Sequence, residues 1–317
     1  MRAWRVHELG DPSDVMSFDE VDVPTPGEGQ VLVKVKAAAL NFPDILMAQG
    51  LYQEKPPLPY TPGVELCGEV VGTGQRVIGG PVGGSGAFAE YALMNAGALP
   101  APPELSDAKA AALNVTYATG HAGLHRRAHL QPGEWLLVHA GAGGVGSAAI
   151  QLGKAAGARV IATAGGARKT AICRELGADH VIDYTAEDFV PAVKEITGGH
   201  GADVVYDPVG GEVFDKSRRC IAFEGRLLVI GFTSGTHPQA PANHVLVKNY
   251  SVVGLHWGLY RKHEPSLAAA VHAELLRGVT DGYLDPLVGE ELPLDQAPQA
   301  LARLGDRGTV GKVVLVP

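Results

Sequence analysis

A chain of 317 residues exceeds one ordinary domain and suits two, each able to bury its own core. With 46% hydrophobic and 19% charged residues it has a globular composition, and a formal charge of -8 argues against broad binding to nucleic acid or anionic membranes. No apolar run reaches membrane-spanning length and residues 1–10 hold no apolar leader core, so a cytoplasmic address is expected. Cys67, Cys173 and Cys220 are widely spaced and form no C-x-x-C pair, which supports neither a disulfide framework nor a zinc knuckle.

From residue 1 to about 99 the pattern is strand and turn: a strand at 3–6, a turn-rich connection at 24–29 and strong alternation at 31–39. These predict an antiparallel, barrel-like domain. The stretch 41–50 (NFPDILMAQG) predicts a short helix starting after Pro43. The prolines at 56, 57, 59 and 62 then force extended chain, and a strand resumes at 64–71. A glycine-rich run at 79–86 opens into strand-like residues 87–93, which suits a hairpin or loop and not a phosphate cradle. Ser106 starts a helix to 113 as its N-cap, and a second helical run covers 116–129.

Residues 135–156 (WLLVHA, GAGGVG, SAAIQLGKAA) read as buried strand, tight turn and helix. Gly141, Gly143 and Gly146 complete G-x-G-x-x-G, with Gly141 expected at the sharp turn, Gly143 where backbone approaches a pyrophosphate, and Gly146 where helix meets strand. The helix N-terminus offers N–H groups and positive dipole to two phosphates. Strands follow at 159–164, 180–184, 202–206, 226–231 and 251–255, with helices at 168–176 and at 185–196, where Thr185 and Asp188 stand at capping-box spacing. This alternation predicts an α/β fold with a doubly wound parallel sheet. Beyond 257 come helices at 266–277 and 296–304 and a strand at 312–316, too few residues for a third core. They are expected to rejoin the first domain, giving a catalytic domain over 1–117 and 258–317 split around a nucleotide domain over 118–257.

An acidic residue at the end of the second strand usually holds the ribose 2′-hydroxyl of NAD. Ala164, Gly165 and Gly166 stand there instead, followed by Arg168 and Lys169. NADPH is therefore expected over NADH, with Lys169 the favoured phosphate contact.

The segments NFPDILMAQGLYQEKPPLPYTPGVELCGEV, HAGAGGVG, GADHVIDY, ADVVYDPVGG and GKVVL together resemble the medium-chain dehydrogenase/reductase superfamily, and within it the zinc-independent quinone oxidoreductases, the group that includes zeta-crystallin. The resemblance runs nearly end to end. It implies a GroES-like, barrel-type catalytic domain split around a Rossmann domain, an active site in the cleft, and a homodimer formed through the edge strand around 251–257. Asn41 and Tyr52 would face the cleft with Thr119 nearby, and Tyr52 matches the tyrosine that resembles a proton donor in related enoyl-thioester reductases. The implied cofactor contacts are Gly143, Gly144 and Val145 at the pyrophosphate, Gly165 and Tyr184 around the adenosine phosphate, and Gly231, Phe232 and Thr233 toward the nicotinamide. Where zinc alcohol dehydrogenases carry ligands this chain has Asn41, Phe42 and Val64, so no metal site is expected. GQRV at 74–77 departs from the family's GDRV and predicts a shortened loop.

Without a Lewis acid to polarise a carbonyl, hydride must go to an acceptor that is already electron-poor. Quinones and alkenes conjugated to a carbonyl meet that condition as small-molecule substrates. Two alternatives accompany this reading: an enoyl-thioester reductase acting on acryloyl- or crotonyl-CoA, and a non-catalytic NADPH-binding structural or sensor protein. His121, His125 and His129 share helical spacing but lack carboxylate or thiolate partners for a metal. Asp207 reads as a cap or turn residue, and Ser85 lacks the strand-to-helix elbow of a hydrolase nucleophile.

Overall fold

The structure is a computed structural model that describes all 317 residues, and they form two compact units, Met1–Val115 with Asp285–Pro317, and Thr116–Leu284. In chain order the first unit supplies β1 (Arg2–Val6), β2 (Met16–Glu20), β3 (Gln30–Ala39), β4 (Leu66–Val70), β5 (Arg76–Gly79), β6 (Tyr91–Asn95) and β7 (Leu99–Pro100). The second holds β8 (Trp135–Val138), β9 (Arg159–Ala164), β10 (His180–Asp183), β11 (Ala202–Asp207), β12 (Ile221–Val229) and β13 (Ser251–Gly254), and β14 (Val288–Pro293) and β15 (Lys312–Val316) belong to the first again.

In the first unit the main sheet runs β14-β15-β3-β4-β5-β7, with β6 also paired to β3. The last strand, β15, lies parallel to β14 and antiparallel to β3, pairing Val314 with Ala39. Alternation in β3 sends Val33 and Val35 into a core shared with Leu66, Phe88, Met94 and Leu315. The connection from β4 to β5 spans only 71–75 and turns through Gly72 and Gly74 at positive φ.

In the second unit the sheet order is β10-β9-β8-β11-β12-β13 and every pairing is parallel. Counted from β8 this is 3-2-1-4-5-6, the doubly wound order, whose direction reverses between β8 and β11. The inner strands are apolar on both faces, as helical layers on both sides of a parallel sheet require: Leu136, Leu137, Val138, Val160 and Ile161 are all fully buried.

The units divide at 115/116 and 284/285, so the expected second boundary at 257/258 lies too early. Helix Pro265–Thr280 buries Ala268, Val271, His272, Leu275 and Val279. It packs on helix Trp257–His263, where the Trp257 and His272 rings stand 6.1 Å apart, and Glu274 bonds His121 at 2.7 Å. Only the residues from Asp285 onward join the first unit.

Several element ends also differ from expectation. The helix near residue 41 is Phe42–Ala48, with Pro43 inside its first turn. The expected 185–196 helix begins at Phe189, because Asp188 accepts from Val190 N while the Thr185 hydroxyl donates to Asp183. The 116–129 run is α-helical over Asn114–His121 and widens to a π-helix over Ala122–Arg127. Helices Gly211–Cys220 and Ala242–Lys248 were not expected from the sequence.

Candidate functional site

The glycine turn follows β8 at the carboxyl edge of the parallel sheet and leads into helix Gly144–Ala155. A Cβ on Gly146 would stand 2.1 Å from the Ala140 carbonyl oxygen, so only glycine lets the helix start this close to the turn. Gly141 is held by packing: its Cβ would meet Cys173 Sγ at 2.9 Å and Ala162 Cβ at 3.0 Å. The left-handed residue of the turn is Ala140, at φ 51, immediately before Gly141. Gly143 is the N-cap and no side chain caps the helix, so the first-turn N–H groups of Gly144, Val145 and Gly146 present the anion cradle of such a terminus.

His139 fixes the base of this turn. Its ring is buried between Thr163 Oγ1, 3.0 Å from Nδ1, and Ser217 Oγ, 2.8 Å from Nε2. Because the Ser217 hydroxyl donates to the Val213 carbonyl, it must accept from Nε2–H, which leaves Nδ1 to accept from Thr163. Burial pushes the imidazole down to about 3, so it is neutral at physiological pH.

The neighbouring strand ends build the rest of the edge. After β9 the chain turns through Gly165 and Gly166, and a Cβ on Gly165 would meet the Tyr184 hydroxyl at 2.8 Å. The half-exposed Tyr184 ring therefore lies over Gly165. Asp183 Oδ1 accepts from Gly166 N, Thr185 N and the Thr185 hydroxyl, which ties the β9 and β10 loops together. Helix Ala167–Glu175 then opens with Arg168 and Lys169 and no acidic residue in its first turn. Arg168 is exposed and Lys169 half-buried, and burial together with the Arg168 charge lowers the Lys169 pKa.

Beyond β11, Asp207 Oδ1 accepts from Val209 N and Gly210 N, making it the turn residue that the sequence suggested. The half-buried residues Gly231, Phe232 and Thr233 run alongside, with Thr233 N donating to the Pro208 carbonyl. The sequence-predicted cofactor glycines and side chains after β8, β9, β10 and β12 thus lie at the carboxyl edge of one sheet, with Val145, Arg168 and Lys169 in the helices that leave it.

In the first unit Asn41 is the buried N-cap of helix Phe42–Ala48. Its Nδ2 donates to the Ala39 carbonyl at 3.1 Å and to Glu65 Oε1 at 2.9 Å, while its Oδ1 accepts from Lys312 Nζ at 2.6 Å. Both amide hydrogens are used, so this side chain has none for a substrate oxygen. Asp44, also fully buried, accepts the Asn41 N–H at 2.8 Å. Burial pushes its carboxyl up to about 7, with the Glu65 charge adding to the rise and Lys312 and the Asn41 N–H opposing it. Tyr52 is half-buried against the same core, its backbone N–H bonded to Leu46 O. Thr119 is half-buried on helix Asn114–His121, in the second unit.

Sequence reasoning missed Lys312, Glu65 and Asp44. The only local signal was a lysine opening the otherwise apolar KVVLV strand. No group of three or more His, Cys, Asp or Glu residues is arranged to hold a metal ion. The His121 and His125 rings meet at a tilt of 56° with centroids 4.5 Å apart, whereas His129 lies past the helical run at φ 49. No helix is long and apolar enough to cross a membrane.

An alcohol dehydrogenase GroES-like domain profile matches residues 27–103, within the first unit, and a zinc-binding dehydrogenase profile matches 144–273, within the second. The quinone oxidoreductase-like protein 2 homolog of Nematostella vectensis is 41% identical over 99% of this chain and 88% of its own length. The Escherichia coli quinone oxidoreductase, solved in complex with NADPH, superposes with a TM-score of 0.91 at 31% identity, covering all of both chains. The quinone oxidoreductase from Thermus thermophilus, also solved with NADPH, gives 0.89 at 34% identity with the same coverage. The split GroES-like unit, the Rossmann sheet and these end-to-end similarities agree: the chain belongs to the quinone oxidoreductase family of the medium-chain dehydrogenase/reductase superfamily.

Proposed function

We propose that this chain is an NADPH-dependent oxidoreductase that reduces quinones or alkenes conjugated to a carbonyl. The observation that carries the reading is the start of helix Ala167–Glu175, where Arg168 and Lys169 stand in the first turn with no carboxylate among them. Cations at the positive end of a helix dipole are unfavourable on their own. A 2′-phosphate beside the Gly165–Gly166 turn offsets that repulsion, and charge-assisted bonds to it favour NADPH over NADH. Relatives crystallised with NADPH support the same cofactor.

NADPH, when bound, supplies the hydride. The N–H groups of Gly144, Val145 and Gly146 would bind its pyrophosphate, with Gly143 as the N-cap beside it, its own N–H bonded to the Ala140 carbonyl, and Gly141 shaping the turn. Tyr184 and Gly165 flank the adenosine side, and Gly231, Phe232 and Thr233 orient the nicotinamide end. Tyr52 donates the proton that the reduced acceptor takes up, and Thr119 helps place the acceptor. Asn41 acts through position, since its amide is committed to Ala39, Glu65 and Lys312.

A homodimer is part of the proposal. β13 ends the second unit's sheet, and Ser251, Val252 and Gly254 are exposed along it. An open apolar edge of this kind suits antiparallel pairing with the same strand of a second copy about a two-fold axis.

The test is NADPH consumption by the purified chain with a panel of quinones, enones and enoyl-CoA thioesters. Turnover with a quinone or simple enone is expected. Turnover confined to the thioesters, or none with any acceptor, overturns the proposal.

A further inference from the structure

Lys312 opens the final strand of the first unit, where an apolar residue would suit the surroundings, and its side chain is 5% exposed. The ammonium has three hydrogens and three acceptors: the Leu40 carbonyl at 2.5 Å, Asn41 Oδ1 at 2.6 Å and Glu65 Oε1 at 2.8 Å. Glu65 is fully buried, and its carboxylate is satisfied in turn, Oε1 by Lys312 and Asn41 Nδ2, and Oε2 by Val115 N at 2.8 Å. Each member therefore dictates the orientation of the next. An ammonium can only donate and a carboxylate only accept, so the Asn41 carboxamide has one permitted orientation.

Stability alone is a poor account of such a pair. Desolvating two charges costs about as much as their attraction returns, and apolar replacements of similar volume are often no less stable. Its placement offers a better account. Leu40 and Asn41, both held by the Lys312 ammonium, lead directly into helix Phe42–Ala48. At the other end of that helix the Leu46 carbonyl accepts from Leu51 N at 2.8 Å and Tyr52 N at 3.2 Å. One short, seven-residue helix thus connects the clamped residue to the tyrosine.

We propose that Lys312 and Glu65 are positioning residues for the reaction: together they clamp Asn41 and the start of helix Phe42–Ala48, and through that helix they set the placement of Tyr52. The inference rests on the reductase reading above. Displacements of about 1 Å at a catalytic group can cost about a hundredfold in rate, so loss of the clamp is read in turnover.

Lys312→Met alone strands a buried Glu65 charge and can unfold the protein, so the decisive protein is the double variant Lys312→Met/Glu65→Gln, which is neutral and close in volume. With wild type assayed alongside, the double variant is expected to unfold cooperatively near the wild-type temperature and to bind NADPH within about threefold of wild type. Its kcat on a quinone or enone is expected to fall about a hundredfold, with KM changed much less. In Lys312→Ala, added n-propylammonium is expected to restore part of the lost turnover in a saturable way, while tetramethylammonium, which has no N–H, does not. A folded double variant with wild-type kcat overturns the inference, as does equal recovery with both amines. A wild-type protein inert toward every acceptor removes the reductase reading and the inference with it, so the two failures are told apart by the wild-type assay.

Discussion

The carbonyl oxygen of Ala140 occupies the space that a side chain on Gly146 would need, 2.1 Å from where its Cβ would be. Backbone lies on both sides of this contact, so the strain cannot be relieved by a rotamer change. Gly146→Ala is expected to destabilise the protein by about 1–3 kcal/mol and to weaken NADPH binding strongly. Gly143→Ala, whose Cβ would lie 3.2 Å from the same oxygen, should cost the fold less. Chemical denaturation of the two variants checks the order, and equal stability of Gly146→Ala and wild type would contradict it.

Tyr52 is the proposed proton donor. A positioned general acid contributes about a hundredfold or more to rate, so Tyr52→Phe should lose about that much kcat on an enone, where carbon must be protonated. NADPH affinity should hold, because the proposed cofactor contacts all lie in the other unit. Turnover unchanged on every acceptor would remove Tyr52 from the chemistry.

Asp44 links the first unit's stability to pH. Its carboxyl is raised by burial from 3.8 to about 7, so the folded state holds a proton that the unfolded state has released. The stability this proton provides is complete below about pH 4 and is lost as pH rises through about 7. Asp44→Asn keeps an acceptor for the Asn41 N–H and removes the titration. Relative to wild type, the variant should therefore gain stability on going from pH 5 to pH 7, at up to about 1.4 kcal/mol per pH unit. Unfolding free energies at pH 5, 6, 7 and 8 measure this, and a difference that does not vary with pH would refute it.

The edge strand β13 predicts an association state. Light scattering should give twice the chain mass at micromolar concentration. Val252→Lys, which brings like charges close together if β13 pairs with its copy, should shift the protein toward single chains. A monomeric wild type would count against the dimer.

Much of this architecture is legible in the sequence because the signals are local. The glycine turn, the apolar parallel strands and the cations after Gly166 each lie within a short window, and the fold places them at one sheet edge. What escaped has physical reasons. Helix Gly211–Cys220 begins at Gly210 and Gly211, both at positive φ, so its start reads as loop. The positive φ of the glycine turn falls on Ala140, outside the glycine pattern, while Cys173 and Ala162 leave no room for a side chain on Gly141. Asn41 matched a site position by resemblance, yet its partners include a residue 271 positions away. No local pattern encodes a contact of that range.

In the proposed function, the carboxyl edge of the parallel sheet recognises a 2′-phosphorylated nicotinamide dinucleotide through Arg168 and Lys169. Dissociation constants for NADPH and NADH, measured by calorimetry on wild type and on Arg168→Ala/Lys169→Ala, test it most directly. Wild type should bind NADPH about tenfold to a hundredfold more tightly than NADH, and the double variant should lose that preference while keeping its NADH affinity. Equal affinity of wild type for the two cofactors, or unchanged NADPH binding in the double variant, would contradict the account.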